Sequence, residues 1–139
     1  MNGTTATEAT GAVTGGLRTL LRLEGLTLFA GMTLLYGVRG GSWWIFLVLF
    51  LAPDLSFAAY LGGPRWGAIG YNAAHSYLAP TVLMVAGFGL AAPLPLSFAM
   101  IWLAHIGFDR ALGYGLKYPA GFGFTHLGRI GRDAKTAPV

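Results

Sequence analysis

Five residues of this 139-residue chain could hold a metal ion or move a proton from within strongly apolar surroundings: Glu24, Asp54, His75, His105 and Asp109. Ionisable groups inside apolar stretches of membrane-spanning length are costly to bury, which makes them the first candidates for function. Two imidazoles with up to three carboxylates match the ligand inventory of non-haem iron, manganese or zinc sites in helical bundles. Glu24, Asp54 and Asp109 bring three negative charges against one positive charge from Arg110, so the ionised set is two charges short of neutral. A divalent metal supplies them, and all five residues are candidate metal ligands. His75, His105 and Asp109 are also candidate catalytic groups, because a low dielectric tunes such side chains for acid and base work. The spacing contains neither H-E-x-x-H nor Glu-x-x-His. Two other readings therefore stay open. In one, the histidines are hydrogen-bonded helix glue, and Asp109 or Glu24 pairs with Arg110 or Arg22. In the other, His75 and His105 are axial ligands of a b-type haem, although no haem-specific feature accompanies them.

Spacing groups these residues further. His105 and Asp109 are i,i+4 neighbours and Asn72 and His75 are i,i+3 neighbours, so each pair shares a helix face. Pro53, directly before Asp54, frees a carbonyl in the preceding turn and marks a polar, kinked position. Gly70, Ala74 and Gly107 are small enough to let helices approach closely. Asn72, Arg110, Lys117 and His126 are the candidate substrate-binding residues, with Arg110 suited to orienting an anionic group.

The elements that must position these residues follow from the apolar runs. The chain is 55% hydrophobic and only 10% charged, with a mean hydropathy of +0.61. That is too little charge to solvate a globule of this size. Spans are expected at about 20–38, 43–61, 66–90 and 94–111, each bounded by Gly, Pro or Arg, and each able to cover a core of ~30 Å. The fold expected is an all-α integral membrane bundle of four transmembrane helices. With the N-terminus inside, Arg18, Arg22, Arg65, Lys117, Arg129, Arg132 and Lys135 lie at or beyond cytoplasmic ends and only Arg39 lies outside. Both termini are thus expected in the cytoplasm, in a multi-pass protein of the cell (inner) membrane. Tyr36, Trp43 and Trp44 would form an outer aromatic belt, with Trp66 and Tyr118 at the inner one. On this topology Glu24, Asp54, His75 and His105 each fall within ~6 to 14 Å of the inner end of their helix. Asp54, His75, His105 and Asp109 are expected to face one shared cavity, with Glu24 at its rim.

The parts flanking the bundle read differently. Residues 1–16 are small and polar, without the basic start of a signal peptide, and are expected to be a disordered cytoplasmic tail. Residues 17–112 form the transmembrane domain, 113–131 a Gly- and aromatic-rich flap over the cytoplasmic mouth, and 132–139 a second tail. With no cysteine, disulfides, thiol catalysis, zinc–thiolate sites and iron–sulfur clusters are excluded. The basic residues are spread along the chain beside apolar runs, which points to topology and not to nucleic acid. No Walker loop or Ser nucleophile elbow is present.

Taken together, Arg22-Leu23-Glu24-Gly25, Ala52-Pro53-Asp54-Leu55-Ser56, Tyr71-Asn72-Ala73-Ala74-His75, Trp102 through Arg110, Gly113 through Tyr118 and Thr125-His126-Leu127-Gly128 resemble a small bacterial membrane family known as domain of unknown function 4260. The resemblance covers residues 17–130 and implies a multi-pass membrane protein, with no activity, cofactor or catalytic residue attached. The functional expectation rests on the residues themselves. It is a metal-dependent enzyme or binding protein for a small lipid-soluble molecule entering from the inner leaflet. The alternative is a non-enzymatic structural or accessory membrane protein whose polar residues only hold the helices together. The lipid bilayer is the expected partner in either case, and a homo-oligomer is compatible with both.

Overall fold

An apolar helix, α1 (Gly15–Val38), lies antiparallel to the longest later helix, α5 (Pro93–Leu112), and the two form the main seam of the molecule. The computed structural model describes residues 11–132, so residues 1–10 and 133–139 of the expected tails lie outside the described residues. The seam closes because glycine meets glycine. A Cβ on Gly25 would collide with Arg110 Cβ and lie 2.8 Å from Gly107 O, and one on Gly107 would lie 2.7 Å from both Gly25 O and Phe29 N. Backbones approach this closely only where no side chain intervenes.

The second apolar run begins as α2 (Trp43–Phe50) and then tightens into a 3-10 segment (Ala52–Gly62) with Pro53 in its first turn. Three residues per turn eclipses side chains at i and i+3, so Asp54, Phe57 and Tyr60 stand in one row. That row faces α3 (Pro64–His75), whose Gly67 and Gly70 leave room for the Tyr60 ring and for Ala59.

The third run was expected to be one helix over 66–90, and it is two. α3 stops at His75, Ser76 is extended (ψ 153°), and α4 (Leu78–Gly89) starts anew. Pro80 is the cause. In a continuous helix its ring would clash with the carbonyl four residues back, which belongs to Ser76. The carbonyls exposed at the end of α3 are used: Trp102 Nε1 donates to Ala74 O (2.6 Å) and Arg110 Nη2 donates to His75 O (2.9 Å). α5 ends in a Schellman turn at Gly113 (φ +95°), with Gly113 N donating to Arg110 O and Tyr114 N to Asp109 O.

Two stretches, Gly15–Val38 and Trp43–Gly62, are long and apolar enough to cross a membrane, and both are largely exposed along their length. Tyr36, expected in an outer aromatic belt, is instead buried at 2% exposure in a cluster with Leu96, Met100 and Ile101, its hydroxyl donating to Ser42 O. The turn at 37–41 folds the ring inward onto Trp43 and Phe46. Trp44 remains 80% exposed.

After α5 the chain doubles back over the ends of α3 and the 3-10 segment. A short antiparallel hairpin, β1 (Phe124–Thr125) with β2 (Gly128–Arg129), closes this flap. Val13 N donates to His126 O and Tyr118 Oη to Gly11 O, so the last residues of the expected N-terminal tail pack on the flap.

Candidate metal centre

Three elements each carry part of a four-residue cluster. Asp54 comes from the first turn of the 3-10 segment, His75 from the last residue of α3, and His105 with Asp109 from one face of α5. One ligand atom from each lies within 4.8 Å of every other. His75 Nε2 and His105 Nε2 are 3.1 Å apart. Asp54 Oδ1 is 3.5 Å from the first and 3.4 Å from the second, and Asp109 Oδ2 is 3.5 and 3.6 Å from them. Ligand atoms arranged tetrahedrally at ~2.1 Å from a zinc-like ion lie ~3.4 Å apart. Five of the six edges therefore have the dimensions of such a site.

The supporting contacts suit ligand duty. A carbonyl only accepts, so the 2.9 Å bond between His75 Nδ1 and Tyr71 O places a proton on Nδ1 and turns the Nε2 lone pair toward the cluster. The Tyr71 ring stacks on the His75 ring at 3.8 Å, and its hydroxyl donates to Asp109 Oδ2 at 3.2 Å. Phe50 packs edge-on against His105, whose Nδ1 is buried without a hydrogen-bond partner among the described residues. The histidines are 0% and 2% exposed, while Asp109 and Asp54 reach 14% and 37%. The carboxylates therefore form the accessible edge. They open into a cavity of about 270 Å³ walled by Phe57, Tyr71, Tyr114, Phe122 and Ile130, with Lys117 also on its lining.

Glu24 does not join this set. It is exposed, and the cluster contains only Asp54, His75, His105 and Asp109. Gly25 is the α1 residue pressed against α5, so its neighbour, about 100° further round the helix, points away. Arg110 is buried at 5% exposure, but its terminal nitrogens are taken by the carbonyls of Tyr114 and His75. It braces the helix ends and faces no substrate space. Nor does it pair with Asp109, and Arg22 donates to Ala111 O, so neither expected arginine–carboxylate pair forms among the described residues. Asn72 is also committed: its amide donates to Lys117 O (2.8 Å) and accepts from Lys117 N (2.7 Å), tying the flap to α3. His126 is structural too, with Nδ1 accepting from Leu116 N at 2.8 Å. Burial, reinforced by the Arg110 charge, pushes the His126 pKa down and keeps the ring neutral for that bond. Of the expected substrate-binding residues, Lys117 alone lines the cavity.

Tyr71, Phe57 and Phe122 went unrecognised in the sequence. Tyr71 stands four residues before His75, on the same helix face, and that offset was the available signal. The haem reading does not fit. Two axial nitrogens would flank a porphyrin, whereas these two are 3.1 Å apart with carboxylates filling the remaining positions.

The fold and cluster define an all-helical protein with a buried His/Asp group against a cavity. A family model described as domain of unknown function (DUF4260) matches residues 18–130, and the chain belongs to that family. Comparisons with curated proteins and with solved structures give no match.

Proposed function

We propose that this protein is a multi-pass membrane protein in which Asp54, His75, His105 and Asp109 bind one divalent metal ion and act with it on a small lipid-soluble molecule held in the adjoining cavity. The observation that carries the reading is the convergence of two imidazole Nε2 atoms and two carboxylate oxygens within 4.8 Å at the end of that cavity. Two carboxylates balance a divalent charge. A metal there would act as a Lewis acid or activate a bound water, and the exposed carboxylate edge is the side from which substrate would approach. Elemental analysis with an absorption spectrum of detergent-purified protein tests this. About one equivalent of a transition metal is expected, and a metal-free protein that withstands reloading would sink the reading.

The membrane placement is supported by the two apolar helices and by their exposure, including Leu61 at 93% and Val48 at 69%. α1 begins, and α5 ends, on the side where Arg18, Arg22 and the flap gather, which fits a cytoplasmic location for both termini. Since the chain has no cysteine, single-cysteine labelling is clean. A cysteine at position 40 is expected to react from outside only, and one at position 130 from inside only; the reverse pattern would invert the topology.

A second reading has one observation in its favour. If His105 Nε2 carries a proton, it donates to His75 Nε2 at 3.1 Å, and with Tyr71 on Asp109 the cluster is bonded without any metal. That is the structural, non-enzymatic alternative, and the metal analysis separates it from the first.

A further inference from the structure

Lys117 presents a problem that the metal cluster does not solve. Its side chain is 4% exposed, yet it makes no ion pair among the described residues. One ammonium proton goes to Phe122 O (3.0 Å), and the rest of the charge lies over two rings, Phe122 at 3.7 Å and Tyr71 at 4.7 Å. A buried cation is normally matched by an anion, because desolvation costs more than ring faces and one carbonyl return. Lys117 also lines the cavity into which Asp54 and Asp109 open. The missing partner therefore has a place to sit.

Charge, size and wall chemistry narrow that partner. A divalent metal with Asp54 and Asp109 is neutral, and Arg110 is turned to the carbonyls of Tyr114 and His75, so the ammonium is the surplus charge on the cavity lining and favours a monoanion. A cavity of about 270 Å³ lies just below the size of pockets that take drug-sized ligands, which suits a small molecule. Phe57 packs against both Tyr71 (5.4 Å) and Phe122 (5.5 Å), which makes an aromatic wall suited to a flat ring or conjugated chain.

Resting on the metal-centre reading, we infer that the cavity takes a small, flat, unsaturated or aromatic monocarboxylate, with its carboxylate on Lys117 and its body against the aromatic wall. Burial lowers the Lys117 pKa to about 8 while the Asp109 charge pulls it back up, so the ammonium form predominates at pH 7.

Benzoate and its neutral counterpart benzamide, titrated calorimetrically into the detergent-purified full chain, test this, with metal content measured on the same samples. Benzoate is expected to bind wild-type protein at least tenfold more tightly than benzamide. Lys117→Met should abolish the preference and Lys117→Arg should retain most of it. Equal binding of the two ligands by wild-type protein, or an undiminished preference in folded Lys117→Met, would overturn the inference. If Lys117→Met does not fold, the wild-type pair and Lys117→Arg still decide. Metal present without a benzoate preference sinks this inference alone. A Lys117-dependent preference in metal-free protein supports it and sinks the metal reading, and a protein with neither sinks both.

Discussion

The two halves of the molecule are assembled on opposite principles. Where α1 crosses α5 at Gly25 and Gly107 the contact is backbone against backbone, and side chains such as Tyr36 on Leu96 and Met100 fill the seam further along. Across the cluster, α3, the 3-10 segment and the flap meet through side chains: Phe57 on Tyr71, Tyr60 on Phe122, and Asn72 on the Lys117 peptide groups. The first arrangement leaves no space at the crossing, next to the turns of α5 that carry His105 and Asp109. The second leaves a cavity beside Phe57, Tyr71 and Phe122. The comparison teaches where the site sits: the ligands straddle both halves, and the cavity they open into is walled chiefly by the side-chain-built one.

The largest test breaks the crossing. Gly107→Leu would drive a side chain into Gly25 O and Phe29 N, which cannot move aside as a flexible side chain would, and a cost of about 3 kcal/mol or more is expected. Thermal unfolding in detergent should show a large drop in midpoint, whereas Gly31→Leu, at a position where a Cβ meets nothing within 4 Å, should behave as wild type. Equal effects at the two positions would remove the contrast.

A smaller test compares one ligand from each half. His75→Gln and His105→Gln should each weaken metal affinity by roughly 100-fold or more, at the upper end of what loss of a supporting group costs. The fold should survive both, since each replaces one of four converging groups. Loss of stability with unchanged metal content would favour the helix-glue alternative.

The smallest effect concerns the flap. His126 is neutral in the folded chain and its pKa lies below the ordinary value of 6.5, so between those two values the unfolded flap binds more protons than the folded one. Its contribution is complete above pH 6.5 and is lost as pH falls toward the folded pKa. Protection factors for the Leu116 and His126 amides, corrected for intrinsic exchange, should decline over that window. In His126→Asn the decline should vanish, and an identical decline there would assign it to another group.

Much of α5 was legible in the sequence. The i,i+4 offset put His105 and Asp109 on one face, Gly107 announced a close approach, and Gly113 ended α5. Asp54 and His75 joined the cluster, but the path by which they do so was not legible. Pro80 splits the third apolar run, and hydropathy, being blind to a missing amide hydrogen, ran straight through it. Depth along a helix also failed for Glu24, because depth carries no information about azimuth. Charge misled at Arg110, whose two bonds go to the carbonyl of Tyr114 and to that of His75, the latter exposed by a break that the apolar pattern concealed. The cavity walls were the least visible part, since they come from residues far apart in sequence.

The 3-10 segment has one more consequence. Over its eleven residues a metal-ligand candidate, Asp54, and two ring contacts, Phe57 and Tyr60, are set in phase by a repeat of three. Such a column is a ruler: removing one residue between Asp54 and Phe57 rotates everything beyond the cut by about 120° relative to the ligand, while inserting three there restores the alignment one turn longer. Insertions and deletions in 52–62 are therefore tolerated by arithmetic and not by size, and chain length here is counted in threes.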